Sequence, residues 1–248
     1  MIALKNKSEL SKMRDAGRIS AEALRIGGDA VRPGITTGEI DRIIHRYIKS
    51  QNAIPSFLGY GGFPASACIS VNNEVIHGVP GNRVIREGDI VSIDVGAIYG
   101  GFQGDNAATF PAGKISESAE KLLKETRASL QKAIEAAVSG ARVGDISWAV
   151  QSHAEQFGYG VVRKYVGHGI GREMHESPEV PNFGSPGKGP RLAAGMTLAI
   201  EPMINEGLGD VKVLDDGWTV VTADGSLSAH FENTIAITEN GPMVLTEV

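Results

Sequence analysis

The sequence predicts a mixed α/β fold made of two related halves, each a pair of helices followed by strands. Three observations support this. Apolar residues recur at helical spacing in two pairs of segments, apolar and polar residues alternate in three shorter segments, and a short internal repeat relates the first half of the 248 residues to the second.

The helices are predicted by the spacing of their apolar residues. A helix is expected from Ser8 to about Ala30, which carries Leu10, Met13, Ala16 and Ile19. The next helix begins with a capping box from Thr36 to Glu39, and a stripe of isoleucines with Tyr47 follows it at i, i+3, i+4, i+7 and i+8. The segments 118–138 and 145–157 repeat these two patterns.

The internal repeat aligns glycine-containing stretches of the two halves. Gly34 and Gly140 lie 106 residues apart, and Gly88 and Gly195 lie 107 residues apart. The second alignment places an acidic residue of each half at the same strand position, Asp94 and Glu201. We therefore expect one domain over residues 1–248, with halves of roughly 1–110 and 111–248 and a site at their junction.

The strands are predicted by alternation, and three of them carry a carboxylate on the less bulky face. In 90–95 the valines and isoleucine at odd positions share one face, while Ser92 and Asp94 share the other. The predicted strands 196–201 and 230–237 present Glu201 and Glu232 in the same way. A buried carboxylate costs several kcal/mol unless it is paired or coordinates a cation. The pattern therefore points to a metal site.

Two further residues complete a candidate set of five ligands. Asp105 follows Gly104, and His168 lies in a glycine-rich segment. Four carboxylates and one imidazole are a hard, oxygen-rich set that suits Mn, Fe or Co better than a structural zinc.

Composition narrows the class of protein. Hydrophobic residues make up 42% of the chain and charged residues 21%, and the formal net charge of -5 gives no general drive toward nucleic acid or an anionic membrane. The single cysteine, Cys68, rules out an internal disulfide framework and fits a reducing compartment. No segment resembles a signal peptide or reaches the ~20 apolar residues of a membrane helix, so the expected location is the cytoplasm.

The motifs in chain order resemble those of the type I methionine aminopeptidases over nearly the whole length. They are Glu74-Val-Ile-His77-Gly, Ser92-Ile-Asp94-Val-Gly, Gly104-Asp105, Gly167-His168-Gly-Ile-Gly-Arg-Glu-Met-His175-Glu, Ala199-Ile-Glu201-Pro-Met, Asp216-Gly-Trp-Thr-Val220 and Phe231-Glu232-Asn-Thr. The order Asp, Asp, His, Glu, Glu is shared with Xaa-Pro peptidases and creatinase. The resemblance implies a pita-bread fold, with two pseudo-symmetric halves and an antiparallel sheet covered by helices on the outside.

The resemblance also assigns the ligands of two divalent metal ions. These would be Mn, Fe or Co, and Zn is a further candidate. It implies that Asp94 binds one metal through both oxygens, that Asp105 and Glu232 bridge the two, and that His168 and Glu201 complete the second. Two cations about 3.5–4 Å apart share a water and activate it for attack on the scissile amide.

The substrate-facing residues are likewise implied by the resemblance. His77 would hydrogen-bond the substrate near the scissile amide, His175 would donate to the carbonyl oxygen, and Glu201 would receive a proton from the attacking water. The slot for an unbranched methionine side chain would be lined by Phe57, Tyr60, Phe63, Cys68, Met174 and Trp218.

The implied function is removal of the initiator methionine from the N-termini of nascent polypeptides, with a preference for a small second residue. A monomer is expected, with transient ribosome association as a further expectation and with no membrane or specific nucleic-acid partner. One alternative is an Xaa-Pro peptidase of the same fold, against which the short chain argues. The other is an inactive family member acting as a binding protein at the ribosome or on RNA; such proteins lose metal ligands, and this chain keeps all five.

Four positions depart from common family patterns. Gly61 and Gln103 stand where histidine occurs in some or many members, His230 replaces a frequent glutamine, and Asn233 replaces a frequent histidine. None is a metal ligand. The departures therefore bear on metal preference more than on the reaction.

Overall fold

The helices agree with the predicted segments to within two residues at each end. In the computed structural model, which describes residues 2–247, they are α1 (Lys7–Ala30), α2 (Thr37–Ser50), α3 (Glu117–Ala136) and α4 (Val143–Glu155). Met1 and Val248, the ends of the predicted domain, lie outside the described residues. No helix within 2–247 is long and apolar enough to cross a membrane.

The predicted capping box at the start of α2 is confirmed. The Glu39 N–H donates to Thr36 Oγ1 over 3.2 Å, and the Thr36 N–H donates to Glu39 Oε2 over 2.8 Å. These bonds satisfy two of the N–H groups that a helix leaves unpaired at its start. An equivalent box that was not predicted, between Asn6 and Glu9, begins α1.

A nine-stranded antiparallel sheet runs through both halves, in the order β1-β4-β5-β14-β9-β7-β8, with β2 beside β4 and β15 beside β14. Two three-stranded sheets, β13-β10-β6 and β11-β12-β3, flank it. In chain order the strands are β1 (Ile54–Pro55), β2 (Ala67–Val71), β3 (Glu74–Ile76), β4 (Ile90–Tyr99), β5 (Phe102–Pro111), β6 (Gly160–Val161), β7 (Gly167–Gly169), β8 (Glu176–Val180), β9 (Thr197–Ile200), β10 (Met203–Asn205), β11 (Val211–Val213), β12 (Val220–Thr222), β13 (Ser228–His230), β14 (Glu232–Thr238) and β15 (Gly241–Val244).

The main core lies on the apolar face of β4. Val91, Ile93 and Val95 are fully buried in one cluster with residues of all four helices. Helix α1 approaches β5 so closely that a Cβ on Gly104 would lie 2.5 Å from the Gly17 nitrogen, so only glycine fits there. Because successive side chains of a strand alternate, Asp94 points to the face opposite this core.

The two halves repeat the same backbone hydrogen bonds. The Gly34 N–H donates to the Ile85 carbonyl and the Gly140 N–H to the Leu192 carbonyl, each over 2.9 Å. These pairs are related by the 106- and 107-residue offsets of the sequence repeat.

A second pair of equivalent bonds extends the relation to the central strands. The Gly88 N–H donates to the Ala112 carbonyl and the Gly195 N–H to the Ile237 carbonyl, again over 2.9 Å. The end of β5 therefore corresponds to the end of β14. The prediction of a fold with two pseudo-symmetric halves is confirmed.

The predicted strand 230–237 is wrong in its continuity. The predicted strand is interrupted at Phe231, so that His230 ends β13 in a small sheet and Glu232 begins β14 in the large one. The register of β9 with β14 would place Pro202 opposite Phe231. Proline has no N–H to donate, so only the Phe231 N–H bonds there, to the Pro202 carbonyl over 3.3 Å. The ladder is interrupted at this pair and resumes in the same register at Met203 and His230, between β10 and β13.

Candidate metal centre and substrate pocket

The first half supplies two carboxylates from a pair of neighbouring strands. Asp94 on β4 lies opposite Ala107, and Asp105 on β5 lies opposite Gly96. Thr234 of β14 joins Asp105 to the other half, because its Oγ1 accepts from the Asp105 N–H over 3.2 Å and donates to the Asp105 carbonyl over 2.8 Å.

The second half supplies the other three candidates. His168 lies on β7, Glu201 directly follows β9, and Glu232 begins β14. The glycines beside His168 are required by close packing, since a Cβ on Gly167 or Gly169 would lie 2.4 Å from a backbone oxygen of a neighbouring strand or segment. These glycines let β7 fit between β8 and β9 with the imidazole held at the centre.

The candidate ligand atoms converge. His168 Nε2 lies 3.6 Å from Glu201 Oε1 and 3.9 Å from Asp105 Oδ2. One ligand atom each from Asp105, His168 and Glu232 lie within 4.8 Å of one another, close enough to hold a single cation.

The buried oxygens of this cluster fit a metal. Within residues 2–247, Asp94 Oδ1, Asp105 Oδ1 and Glu232 Oε1 are buried without a hydrogen-bond partner. A buried carboxylate in that condition is unstable unless a cation compensates it. The donor set of hard oxygens with one imidazole nitrogen suits a divalent transition metal.

Burial shifts the pKa values of these groups toward their neutral forms. It raises the pKa of Asp94 to about 7, and burial together with neighbouring carboxylates raises the pKa values of Asp105, Glu201 and Glu232 well above the usual range. A cation would reverse this effect by favouring the ionised carboxylates.

The imidazole of His168 is oriented for coordination. Burial, and then His175, lowers its pKa to about 4, so the ring is neutral. Its Nδ1 lies 2.9 Å from the Gly169 carbonyl, which can only accept, so Nδ1 carries the proton. The lone pair of Nε2 therefore faces the carboxylates.

All thirteen residues predicted for the site line one cavity of about 170 Å³. The cluster of carboxylates and His168 forms one side of it. The other side is largely apolar, with the Phe63 and Trp218 rings in edge contact at 5.2 Å. The cavity is lined by Phe57, Tyr60, Phe63, Cys68, His77, Asp94, Asp105, His168, Met174, His175, Glu201, Trp218 and Glu232.

The two further predicted histidines lie at different depths. His77 follows β3 with a left-handed backbone (φ 58°), and burial, followed by His175, lowers its pKa to about 4. His175 is exposed, and its ring centroid is 4.3 Å from that of His168. Its Nδ1 lies 2.8 Å from the Tyr60 hydroxyl, a contact between the two halves that the sequence did not predict.

The loop that carries Met174 and His175 is anchored by a partly buried ion pair. The Glu176 carboxylate accepts the Arg172 N–H over 2.9 Å and lies 2.5 Å from Lys5 Nζ. Lys5 and Glu176 are 171 residues apart, so no local pattern could predict this pair.

Three of the four departures make contacts away from the ligand atoms. The side-chain oxygen Oε1 of Gln103 accepts from Ser56 Oγ over 2.7 Å, and the side-chain amide of Asn233 donates to Thr246 Oγ1. A Cβ on Gly61 would lie 3.6 Å from the Trp218 ring.

The fourth departure, His230, lies beside the cluster. It is 1% exposed, and burial, followed by His77, lowers its pKa to about 3.

A curved antiparallel sheet covered by helices, with a buried carboxylate–histidine cluster beside an apolar cavity, defines a metal-dependent hydrolase. A model of metallopeptidase family M24 matches residues 11–239, and the chain belongs to this family.

Relatives and solved structures agree with this family. A methionine aminopeptidase of Clostridium acetobutylicum is 58% identical over 99% of both chains. The crystal structure of a methionine aminopeptidase from Thermotoga maritima has a TM-score of 0.99 with 48% identity over 100% of both chains. A prolidase from Pyrococcus horikoshii, at 23% identity and a TM-score of 0.78 over 99% of this chain and 63% of that one, shows the shared fold alone.

Proposed function

We propose that this protein is a methionine aminopeptidase, a metal-dependent exopeptidase that removes an N-terminal methionine and prefers a small second residue. The observation that carries this proposal is the cavity of about 170 Å³ in which the carboxylate–histidine cluster directly adjoins an apolar wall. The 58% identical relative named methionine aminopeptidase supports it.

The metals of this site are proposed to be two divalent ions of Mn, Fe or Co, with Zn as a further candidate. Asp94, Asp105, His168, Glu201 and Glu232 would hold them. Such ions supply positive charge that polarises the scissile carbonyl and lowers the pKa of water.

Three side chains act at or beside the reacting amide in this proposal. His175 donates a hydrogen bond to the carbonyl oxygen as negative charge develops on it, and Glu201 receives a proton from the attacking water. His77, deeper in the cavity and neutral, hydrogen-bonds the substrate near the same amide.

The apolar wall selects the first residue of the substrate. Phe57, Tyr60, Phe63, Cys68, Met174 and Trp218 enclose a space suited to a long, unbranched side chain. The Cys68 thiol is a wall group rather than a nucleophile, because burial raises its pKa well above the usual range. A carboxylate cluster next to this wall places the scissile amide beside the residue whose side chain the wall binds.

We further propose that residues 1–248 act as one catalytic domain, as a monomer in the cytoplasm. Its substrates would be the N-termini of nascent polypeptides, reached in part through transient ribosome association. The shared fold of the prolidase carries no argument for Xaa-Pro specificity.

The test is hydrolysis of the peptide Met-Ala-Ser against an Xaa-Pro peptide. The protein is first treated with a chelator and then supplied with Mn, Fe, Co or Zn. Metal-restored release of methionine from Met-Ala-Ser alone is expected. Cleavage of the Xaa-Pro peptide in preference, or no activity with any of the four metals, would refute the proposal.

A further inference from the structure

His230 is a buried polar side chain to which neither the resemblance nor the proposed mechanism gives a role. Within the described part of the chain, neither of its ring nitrogens has a hydrogen-bond partner. A buried polar group in this condition is uncommon and calls for an explanation. Its Nε2 lies 3.8 Å from Oε2 of Glu201.

The two oxygens of Glu201 face different histidines. Oε1 lies 3.6 Å from His168 Nε2, the nitrogen whose lone pair faces the cluster. Oε2 is the oxygen near His230. Glu201 is therefore positioned between a histidine of the ligand cluster and a histidine outside it.

The chemistry of the two groups is complementary. A neutral imidazole has one N–H donor, and an ionised carboxylate only accepts. If the proton of His230 is on Nε2, closing the present gap forms one hydrogen bond that satisfies this N–H and one oxygen of Glu201. Hydrogen bonds from the surroundings to ligating carboxylates orient them and strengthen metal binding.

The repeat gives a second, independent view of this position. Asp105 lies seven residues before Ala112, and His230 lies seven residues before Ile237, the two residues with equivalent backbone bonds. His230 thus corresponds in the second half to a proposed ligand of the first. However, the ligand atoms that lie within 4.8 Å of one another belong to Asp105, His168 and Glu232, without His230.

We propose that His230 is a positioning residue of the metal site, whose Nε2–H donates to Oε2 of Glu201 and leaves Oε1 as the oxygen that binds metal. This inference rests on the metal site of the proposed function. It also explains how a histidine can stand where the family pattern favours glutamine, since both side chains can donate a hydrogen bond.

The first test measures metal affinity rather than activity. The chelator-treated full chain is titrated with MnCl₂ in a calorimeter. His230→Leu is expected to weaken binding by about 10–100-fold, and His230→Gln, which retains a donor, to stay within about threefold of the unaltered protein. The control variant is His45→Gln. His45 lies on α2, and its ring forms a hydrogen bond with Ser66. Unchanged affinity in His230→Leu would overturn the proposal.

The second test needs no variant and so does not depend on the folding of His230→Leu. Nitrogen NMR of the zinc-loaded, ¹⁵N-histidine-labelled protein reports which ring nitrogens carry a proton or a metal. The expected result is a proton on Nε2 of His230. A proton on Nδ1 alone, or zinc on either nitrogen of His230, would overturn the proposal.

These outcomes are separable from failure of the proposed function. If the unaltered protein binds no divalent metal, the metal site itself is wrong. If it binds metal and His230→Leu binds it equally well, only the role of His230 is wrong.

Discussion

The two halves of the molecule share a backbone but contribute differently to the metal centre. At one pair of equivalent positions both halves carry a carboxylate, Asp94 on β4 and Glu201 after β9. At the others they differ. The position of His168, opposite Ala199 on β9, corresponds to that of Ser70, opposite Ser92 on β4.

The central strands show the same asymmetry. Counting back from the equivalent residues Ala112 and Ile237 places Ala107 in correspondence with Glu232, and these two also pair directly across the sheet. Asp105 corresponds to His230. The repeated backbone thus sets where ligands can stand, and substitutions within one half decide which positions bind. One centre with distinct sides can arise in this way from two similar units.

The largest effect is expected when the equivalent residues Ser70 and His168 are each replaced by alanine. Loss of a hydrogen bond to a metal ligand weakens metal binding by about 10–100-fold. His168→Ala removes a ligand itself, so it should weaken metal binding by more than this, and activity should fall with it. Ser70→Ala should leave metal affinity unchanged. It should lower stability by about 1–3 kcal/mol, because the Gly78 N–H donates to Ser70 Oγ in the buried structure. Calorimetric titration and thermal denaturation measure both, and equal loss of metal in the two variants would contradict the asymmetry.

The next effect concerns turnover without loss of metal. His175→Ala should lower kcat by about 10²–10³, the effect of removing one donor to a developing oxyanion. The metal content of the variant, measured by mass spectrometry after dialysis, should equal that of the unaltered protein. Loss of metal from the variant would mean that His175 is itself a metal ligand and that the second half contributes four ligands.

A third prediction compares Asp94 with its counterpart in the absence of metal. Oδ1 of Asp94 has no partner among residues 2–247, whereas Glu201 has a histidine near each oxygen. Because burial raises the pKa of Asp94 to about 7, its contribution to stability is present at low pH and is lost as pH rises through 7.

The measurement is the Tm of the chelator-treated protein at pH 6 and pH 8. Asp94→Asn should raise the Tm at pH 8 by about 5 °C or more and should change it less at pH 6. Added metal should remove most of the pH dependence of the unaltered protein. A Tm difference that is the same at both pH values would contradict the assignment.

The sequence predicted the scaffold well because its signals are local. Helical spacing and capping locate α1 to α4, and strand alternation places Asp94 on the face opposite the core. The repeat also located the one pair of positions at which both halves carry a carboxylate. It could not relate Ser70 to His168 or Asp105 to His230, because those correspondences follow from strand register and not from residue similarity.

The parts that the sequence did not predict depend on contacts between distant segments. The interruption at Phe231 follows from a missing N–H at Pro202, which lies between β9 and β10. The Lys5–Glu176 pair and the Tyr60–His175 bond join segments more than 100 residues apart. The resemblance assigned Tyr60 to the apolar wall alone, since a ring in a pocket gives no sign of what its hydroxyl contacts.

The smallest effect is expected from loss of the hydrogen bond between Tyr60 and His175, which joins the two halves at the mouth of the cavity. When the Tyr60 hydroxyl donates to Nδ1 of His175, Nε2 keeps its proton and can donate to the substrate. Tyr60→Phe keeps the ring of the wall and removes only this bond. We expect kcat to fall by about 2–10-fold, as for one ordinary hydrogen bond, with KM for a methionyl peptide little changed. Phe63→Leu, which alters the wall beside Trp218, should instead raise KM. If Tyr60→Phe changed KM alone, Tyr60 would be a wall residue only, and the orientation of His175 would depend on its own loop, which Glu176 and Lys5 anchor.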